Sequence, residues 1–414
     1  MFKFIRKLST QNQRSVKLSE FPDLNVEYLC NPKNLQSIAE NINRRKGIGN
    51  VALVNELKQK LESSKPDTEE YLELKRSFYK ELLQIPNFSH PAVINYGEDP
   101  VEVKRTGEER KFEFKPRQFH EITKRLNLAR TEHLGNVSGT KSYYFLGELA
   151  ELEQALIQYT LCNLVRNQFK LMSVPDLLDR RIIESCGMST TGERTQVYNL
   201  SEEHKSDLCL SGTSEMALAG FFANKTFDLN ELPLKVATVS RCFRAETSSL
   251  AEESGIYRVH NFTKVEMFAV ASPSQSELLL DDFKSIEEEH FSSLGLCTRT
   301  LDMPPHELGA PAFRKYDVEA WMPGRGMFGE ISSCSNCTDF QARRLGIRSG
   351  EGFLHTLNGT ACAIPRMMIA LIETYQNDNG TVSVPEKLWP FMRGKKKIGR
   401  QKQIPELKLI KNKK

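Results

Sequence analysis

A chain of 414 residues, 39% hydrophobic and 27% charged, is long enough for one large core with smaller units attached, and its composition is globular. A net charge of +4, from 57 basic and 53 acidic residues, is too small to establish a polyanion partner by itself, although both ends of the chain are basic. No stretch approaches 18 consecutive apolar residues, which excludes a membrane-spanning helix, and nine cysteines, an odd number, argue against a disulfide framework and for a reducing compartment.

The first residues carry Lys3, Arg6, Lys7, Arg14 and Lys17 before the first acid, Glu20, with Ser, Thr, Gln and apolar residues between. That composition suits a mitochondrial transit peptide over residues 1–19, and hence a place in the matrix, the alternative being an ordinary disordered basic start; the apolar runs are too short for a secretory signal. Residues 20–110 read as a helical hairpin unit followed by a linker. Leu35, Ile38 and Ile42 form one helical stripe within 33–46, which Gly47 and Gly49 break. A second helix runs from about Val51 to Glu62 through Val54, Leu57 and Leu61. Asp67 with Glu70 resembles a capping box that opens a third helix, in which Tyr71, Leu74, Phe78 and Leu82 repeat at three and four residues. Such a hairpin either packs on the main domain or projects to grip a partner. The stretch 85–105, rich in Pro, Gly and Asn, reads as a linker.

Beyond it the pattern changes. An amphipathic helix from about Gly147 to Phe169 shows Leu149, Leu152, Leu156 and Tyr159 on one side, and LMSVPDLL follows as a short strand stopped at Pro175. Strand-like runs dominate from Leu208 to Ala363, with a helix near 273–292. The segment 393–414 is a basic tail of ten Lys or Arg and one acid, Glu406, either solvated or in contact with RNA phosphates.

The chemistry concentrates where strands meet. In YRVHNFTKVEMF (Tyr257–Phe268) a strand would turn Arg258, His260, Phe262, Lys264, Glu266 and Phe268 to one face. KVATVSRCFRAE is a second strand, ending in Arg244 and Glu246, and TSSLAEESGI joins the two as a long hairpin loop. Paired antiparallel, they would pool Arg244, Glu246, Arg258, Phe262, Lys264 and Glu266. Arginine forks suit phosphate oxygens, a phenyl ring suits a base, and Glu266 suits an ammonium group. The plainer reading is a solvated sheet face with cross-strand ion pairs. Other segments add to the face. LCLSGTSEMALAG places Thr213 and Glu215 at a strand-to-helix transition, GEISSCSNCTDFQARR places Glu330 and Ser333 in a strand, and TLNGTACAIPRMM sets Asn358, Gly359 and Thr360 before a helix with Pro365 in its first turn and Arg366 next. GRGMFG (Gly324–Gly329) matches a dinucleotide fingerprint by letters only, because WMP precedes it and a strand follows. The CSNC pair, Cys334 and Cys337, has no second pair at ligand spacing, so no structural zinc is expected.

At these segments the chain resembles a class II aminoacyl-tRNA synthetase, specifically a seryl-tRNA synthetase of the animal mitochondrial branch. FRAETS with RVHNFTKVE resembles motif 2, LMSVPDLL with its preceding helix resembles motif 1, and LNGTACAIPRMMIALIE resembles motif 3. TSE and EISSCSNCTDFQARR look like seryl-specific elements, and the likeness is strong over about 111–392. It implies an α+β catalytic domain over 111–392, an antiparallel sheet of about six to eight strands flanked by helices, after an N-terminal helical hairpin that binds tRNA. It also implies a homodimer joined through motif 1, with ATP, L-serine and tRNA(Ser) as partners and Mg²⁺ carried by the ATP. Residue by residue, it assigns Arg244, Ala245 and Glu246 to ATP, with Arg244 near the α-phosphate and Arg244 and Arg366 as catalytic groups. Val259 and Phe262 would flank adenine, Arg258 and Arg366 would hold the outer phosphates, and Glu330, Ile331, Ser332 and Ser333 would contact ATP, Glu330 also meeting the Mg²⁺. Thr213, Ser214, Glu215 and Glu266 would bind serine, with Asn358 and Thr360 near its hydroxyl. Two departures stand out: hairpin helices of only about 12 and 18 residues where the family has a long arm, and Pro365 where bacterial relatives have Gly. The competing expectations are a paralogue that keeps the fold without the reaction and a class II enzyme for another amino acid.

Overall fold

The computed structural model describes residues 17–131, 139–192, 195–201, 203, 207–246, 255–350 and 352–405. The expected transit segment therefore lies almost wholly outside the described residues, as do the last nine residues of the tail and residues 247–254 of the long hairpin loop.

Eight strands form the main sheet: β1 (Val101–Thr106), β2 (Lys170–Met172), β3 (Leu234–Phe243), β4 (Asn261–Ala271), β5 (Thr298–Asp302), β6 (Arg314–Met322), β7 (Met327–Asn336) and β8 (His355–Ala363), in the order β1-β5-β6-β7-β8-β4-β3-β2. Every neighbouring pair is antiparallel except β2 with β3, which run parallel. The helices that position the site are α1 (Leu35–Arg44), α2 (Val51–Ser63), α3 (Glu69–Leu83), α4 (Glu148–Arg166), α5 (Ser214–Phe221), α6 (Ser276–Ser293), α7 (Phe340–Leu345) and α8 (Ile364–Thr374).

The alternation in β4 explains the layering. Its odd residues Val265, Met267 and Ala269 are fully buried in the main core, with Leu149, Leu152 and Leu156 of α4, Leu279, Leu280 and Phe283 of α6 and most of α8. Its even residues point to the other face, which is covered in part. Phe268 and Val270 lie under α5 and α7, with Phe268 stacked 6.1 Å from Phe222. Phe262, Lys264 and Glu266, on the same side, stand where no helix covers the sheet and line a cavity.

The helices follow the periodicity closely, with one correction at a cap. Thr68, not Asp67, caps α3, accepting from the Tyr71 amide at 3.1 Å, while Asp67 takes the left-handed conformation that the turn before the cap requires (φ 63°). The expected strand from Tyr257 begins at Asn261, because residues 255–258 form a turn. The expected linker over 85–105 is a strap. Its end is edge strand β1, Val93 is fully buried, and Asn87 donates to the carbonyls of Pro311 and Cys337 at 2.8 and 2.9 Å. The basic segment after Arg393 also holds to the body. Ile398 is buried, residues Lys397 and Ile398 pair with Val382 and Ser383, and Lys395 reaches Glu148 at 2.6 Å.

The helical hairpin docks on the catalytic domain through the loop 309–312. Ile38, Ile42, Val54, Phe78 and Leu82 form its core, and Arg45, at the end of α1, is buried. Its Nη1 donates to the carbonyls of Asn87 and Ala312, each at 2.8 Å, and its Nη2 donates to the carbonyl of Gly309. An aliphatic side chain here leaves the Ala312 carbonyl without its donor and reduces those of Asn87 and Gly309 to one each, from Asn41 and the Ala312 amide. Arg45→Ala should lower stability by about 3 kcal/mol or more, seen as a fall in the urea midpoint of unfolding.

Candidate active site

The uncovered part of the sheet opens into a cavity of about 1070 Å³, at the large end of small-molecule sites and roomy enough for a nucleotide beside a small amino acid. Arg244, Glu246, Arg258, Val259, Phe262, Glu330, Ile331, Ser332, Ser333 and Arg366 line it, as do Thr213, Glu215, Glu266, Asn358 and Thr360. Two residues that the sequence pointed to stand outside its lining. Ser214 is buried at the start of α5, and the Ala245 amide donates to the Gln196 carbonyl at 2.9 Å.

Register brings these residues together. In the β3/β4 pair Cys242 lies opposite Phe262, Ser240 opposite Lys264 and Thr238 opposite Glu266; beyond the strand end the Arg244 amide donates to the His260 carbonyl. On the other side of β4, Thr360 lies opposite Glu266, but the register then slips by one residue before Cys362, so that Ala363 lies opposite Lys264. A second slip, between Val318 and Glu319 of β6, leaves Ser332 opposite Val318 and Glu330 opposite Glu319. Each slip lets residues an odd number apart share a face: Thr360 with Ala363, and Glu330 with Ser333.

One end of the cavity is cationic and aromatic. The Arg244 guanidinium stands 5.2 Å from the Phe262 ring centre, and that of Arg366 stands 4.5 Å from Tyr257. Arg366 pairs with Glu330 at 2.9 Å, and Arg258 approaches Glu246 at 3.9 Å. Burial works to raise the Glu330 carboxyl, but Arg366 and Lys315 outweigh it and hold it well below the usual carboxylate range. Lys315 and Asp317 form a further pair at 2.8 Å on the cavity side of β6; burial pushes Asp317 upward against the pull of Lys315.

The other end carries hydroxyls and acids. Thr213 caps α5, its hydroxyl accepting from the Glu215 amide at 3.3 Å. Glu215 Oε1 accepts from Gln341 at 2.6 Å and from Asn358 at 2.9 Å. Lys264 is ion-paired with Glu266, both buried within the sheet face. Burial raises Glu215, and it raises Glu266 to about 7 despite Lys264 beside it.

Sequence reasoning placed Lys264 on the right face without giving it a role. It passed over Gln341, although FQARR had been singled out, and it passed over Lys315 and Asp317, whose alternation along RKYDVEAWM was the available signal. It had no signal for Lys46 and Ile48, which reach the cavity from the loop after α1. GRGMFG spans the turn between β6 and β7 and the start of β7, and what its amides hold is an internal carboxyl: Gly324 and Arg325 donate to Glu373 at 2.9 and 3.1 Å. Cys334 and Cys337 are both buried, and burial pushes both thiols up. Among the described residues no group of three or more His, Cys, Asp or Glu side chains is arranged to hold a metal, and no helix is long and apolar enough to cross a membrane.

Known proteins share this architecture. The profile of the tRNA synthetase class II core domain (G, H, P, S and T) matches residues 198–375. The mitochondrial serine–tRNA ligase of Mus musculus is 46% identical over 328 residues, 77% of this chain, and the chain spans 63% of that relative's length. The serine–tRNA ligase of Treponema denticola is 42% identical over 332 residues, covering 78% of each chain. The crystal structure of seryl-tRNA synthetase from Pyrococcus horikoshii complexed with ATP superposes with a TM-score of 0.75 at 30% identity, over 91% of this chain and 92% of that one. With 78% of a 42%-identical relative covered and that superposition alongside, the chain belongs to the seryl-tRNA synthetase family of class II aminoacyl-tRNA synthetases.

Proposed function

We propose that the protein activates L-serine with ATP and transfers it to the 3′ end of tRNA(Ser) in mitochondrial translation. The observation that carries this reading is the division of one cavity into an arginine–phenyl end and a hydroxyl–carboxylate end that meet along β4. ATP would lie with its base on Phe262 and Val259 and its phosphates among Arg244, Arg258 and Arg366. Serine would lie with its ammonium toward Glu215 and Glu266 and its hydroxyl toward Asn358 and Thr360. A carboxylate oxygen of serine then attacks the α-phosphorus in line; the bond to the β-phosphate oxygen breaks and pyrophosphate leaves. In the second step a terminal ribose hydroxyl of tRNA attacks the acyl carbon, the bond from that carbon to the phosphate oxygen breaks, and AMP leaves, its phosphate taking the hydroxyl proton. The side chains align the reactants and offset charge growing on phosphate oxygens, so neither step needs a protein nucleophile.

Mg²⁺ suits the site as an ion carried by the triphosphate, with Glu330 and Ser333 as its protein contacts, since such ions keep most of their ligands from phosphate and water. When bound it would neutralise charge on the outer phosphates. The homodimer is supported by apolar residues left exposed near motif 1: Val165 at 52%, Leu171 at 51% and Leu177 at 44%. The mitochondrial matrix is supported by the basic, acid-free first residues and by the name of the Mus musculus relative. Contact with tRNA is assigned to the hairpin and to the basic C-terminal segment. Because Lys395 and Ile398 hold to the body, the informative truncation removes 406–414 only.

Serine-dependent exchange of pyrophosphate into ATP tests the reading. Exchange is expected with serine and not with threonine or alanine at equal concentration; exchange that is absent or indifferent to serine defeats it. Arg244→Ala should lower kcat for exchange by about 100-fold or more, since a donor aimed at developing charge is lost. Glu266 binds an ammonium only when ionised, and its carboxyl sits at about 7. The KM for serine should therefore fall as pH rises through 7 and level off above it, while the KM for ATP follows a different profile.

A further inference from the structure

Lys264 is buried at the hydroxyl–carboxylate end, and the reaction as proposed gives it nothing to do. Its ammonium has three protons and three partners: the carboxylate of Glu266, the Thr213 hydroxyl at 2.9 Å and the Thr360 hydroxyl at 3.4 Å. Both threonines line the cavity, and both belong to the group assigned to serine. An ammonium only donates, so each hydroxyl oxygen is an acceptor toward Lys264. Thr213 Oγ1 also accepts from the Glu215 amide at 3.3 Å, which engages its second lone pair. What remains to Thr213 for a molecule in the cavity is its own proton, while Thr360, with Lys264 on one lone pair, keeps its proton and one further lone pair.

We infer that Lys264 is a positioning residue that leaves Thr213 only a proton to offer and orients the Thr360 hydroxyl to offer its own, so that this end of the cavity selects an amino acid whose side chain carries an acceptor oxygen. The inference rests on the serine reading above and deepens it. A serine hydroxyl accepts from a threonine and donates its own proton to a neighbouring carboxylate. Alanine leaves the threonine protons and the carboxylate without partners, a loss that a polar site feels strongly.

Charge supports the same role. The groups facing Glu266 are Lys264 on its own strand, Glu215 from α5, Arg244 and Cys242 from the β3 side, and Glu287 from α6 across the sheet. Glu215, Glu266 and Lys264 together carry one net negative charge when all are ionised; Arg244, the weakest of the influences on both carboxyls, would be taken up by the phosphates of bound ATP, which leaves one carboxylate charge for a substrate ammonium. Without Lys264, two buried carboxylates face each other and one keeps its proton.

The test is the exchange assay with serine and with alanine across pH, on the wild type, Lys264→Met and Thr360→Val. Lys264→Met should raise the serine KM by roughly 10- to 100-fold and narrow the preference for serine over alanine by a similar factor. It should also move the fall in serine KM to higher pH while leaving the ATP KM within about twofold. Thr360→Val should narrow the preference without moving the pH dependence. A Lys264→Met enzyme with wild-type serine KM, preference and pH profile overturns the inference, as does a uniform loss of kcat with preference intact. If Lys264→Met does not fold, Thr360→Val decides, and full discrimination in that variant overturns the inference. A wild type with no serine-dependent exchange removes the proposed function and this inference together; an active wild type with an unaffected Lys264→Met enzyme removes this inference alone.

Discussion

The pairing of β8, β4 and β3 is the constraint from which the site follows. Three strands in this register set Glu266 between Thr238 and Thr360, and Lys264 between Ser240 and Ala363. Side chains alternate with a period of two, so a shift of one residue anywhere in β4 would exchange Lys264 and Glu266 for Val265 and Met267. Charged groups would then enter the main core. The apolar half of β4 therefore enforces the placement of its polar half, and burial of Val265, Met267 and Ala269 under α4, α6 and α8 fixes the site as a by-product of folding.

On that frame two slips of register do work that regular pairing cannot. In a regular strand Glu330 and Ser333 face opposite ways, as do Thr360 and Ala363. One extra residue in β7 and one in β8 turn the later part of each strand so that both members of each pair reach the cavity. The second slip also sets the entry to α8, whose Pro365 stands in the first turn and whose Arg366 reaches back to Glu330. The charges then arrange themselves by neutralisation. Arg366 with Glu330, Arg258 with Glu246, Lys315 with Asp317 and Lys264 with Glu266 set four cations of the site beside carboxylates.

Much of this was legible in the sequence. The polar face of β4 could be read by parity, because one edge of a strand that mixes Arg, Phe, Lys and Glu contrasts with the apolar residues between them. The helices followed from their apolar stripes, and α8 from Pro365. Most of what could not be read depends on a neighbour distant in sequence; the cap of α3 is a local exception. The slips in β7 and β8 exist only relative to β6 and β4. Thr68 displaces Asp67 as the cap of α3 because the turn before the helix holds Asp67 in a left-handed conformation, a property of the folded backbone. The strap over 85–105 looked like a linker because Pro, Gly and Asn are turn residues, yet Asn87 spends its amide on carbonyls more than two hundred residues away. Lys46 and Ile48 reach the cavity only because Arg45 docks the hairpin there.

That docking gives the hydroxyl–carboxylate end of the cavity a wall made from three remote pieces of chain. Arg45 holds the carbonyls of Gly309 and Ala312, and Asn87 holds those of Pro311 and Cys337. Cys337 is followed by Gln341, which donates to Glu215, and Glu215 is met again by Asn358 from β8. Each bond is modest alone, but the carbonyls are buried and none can be released to water without cost, so the loop 309–312 stays where the cavity needs it. The hairpin is short, with helices of 13 and 15 residues, so its reach as an arm is limited. Its place in the fold is secured instead from the side of the catalytic sheet, by one guanidinium at the base of α1 and one amide on the strap.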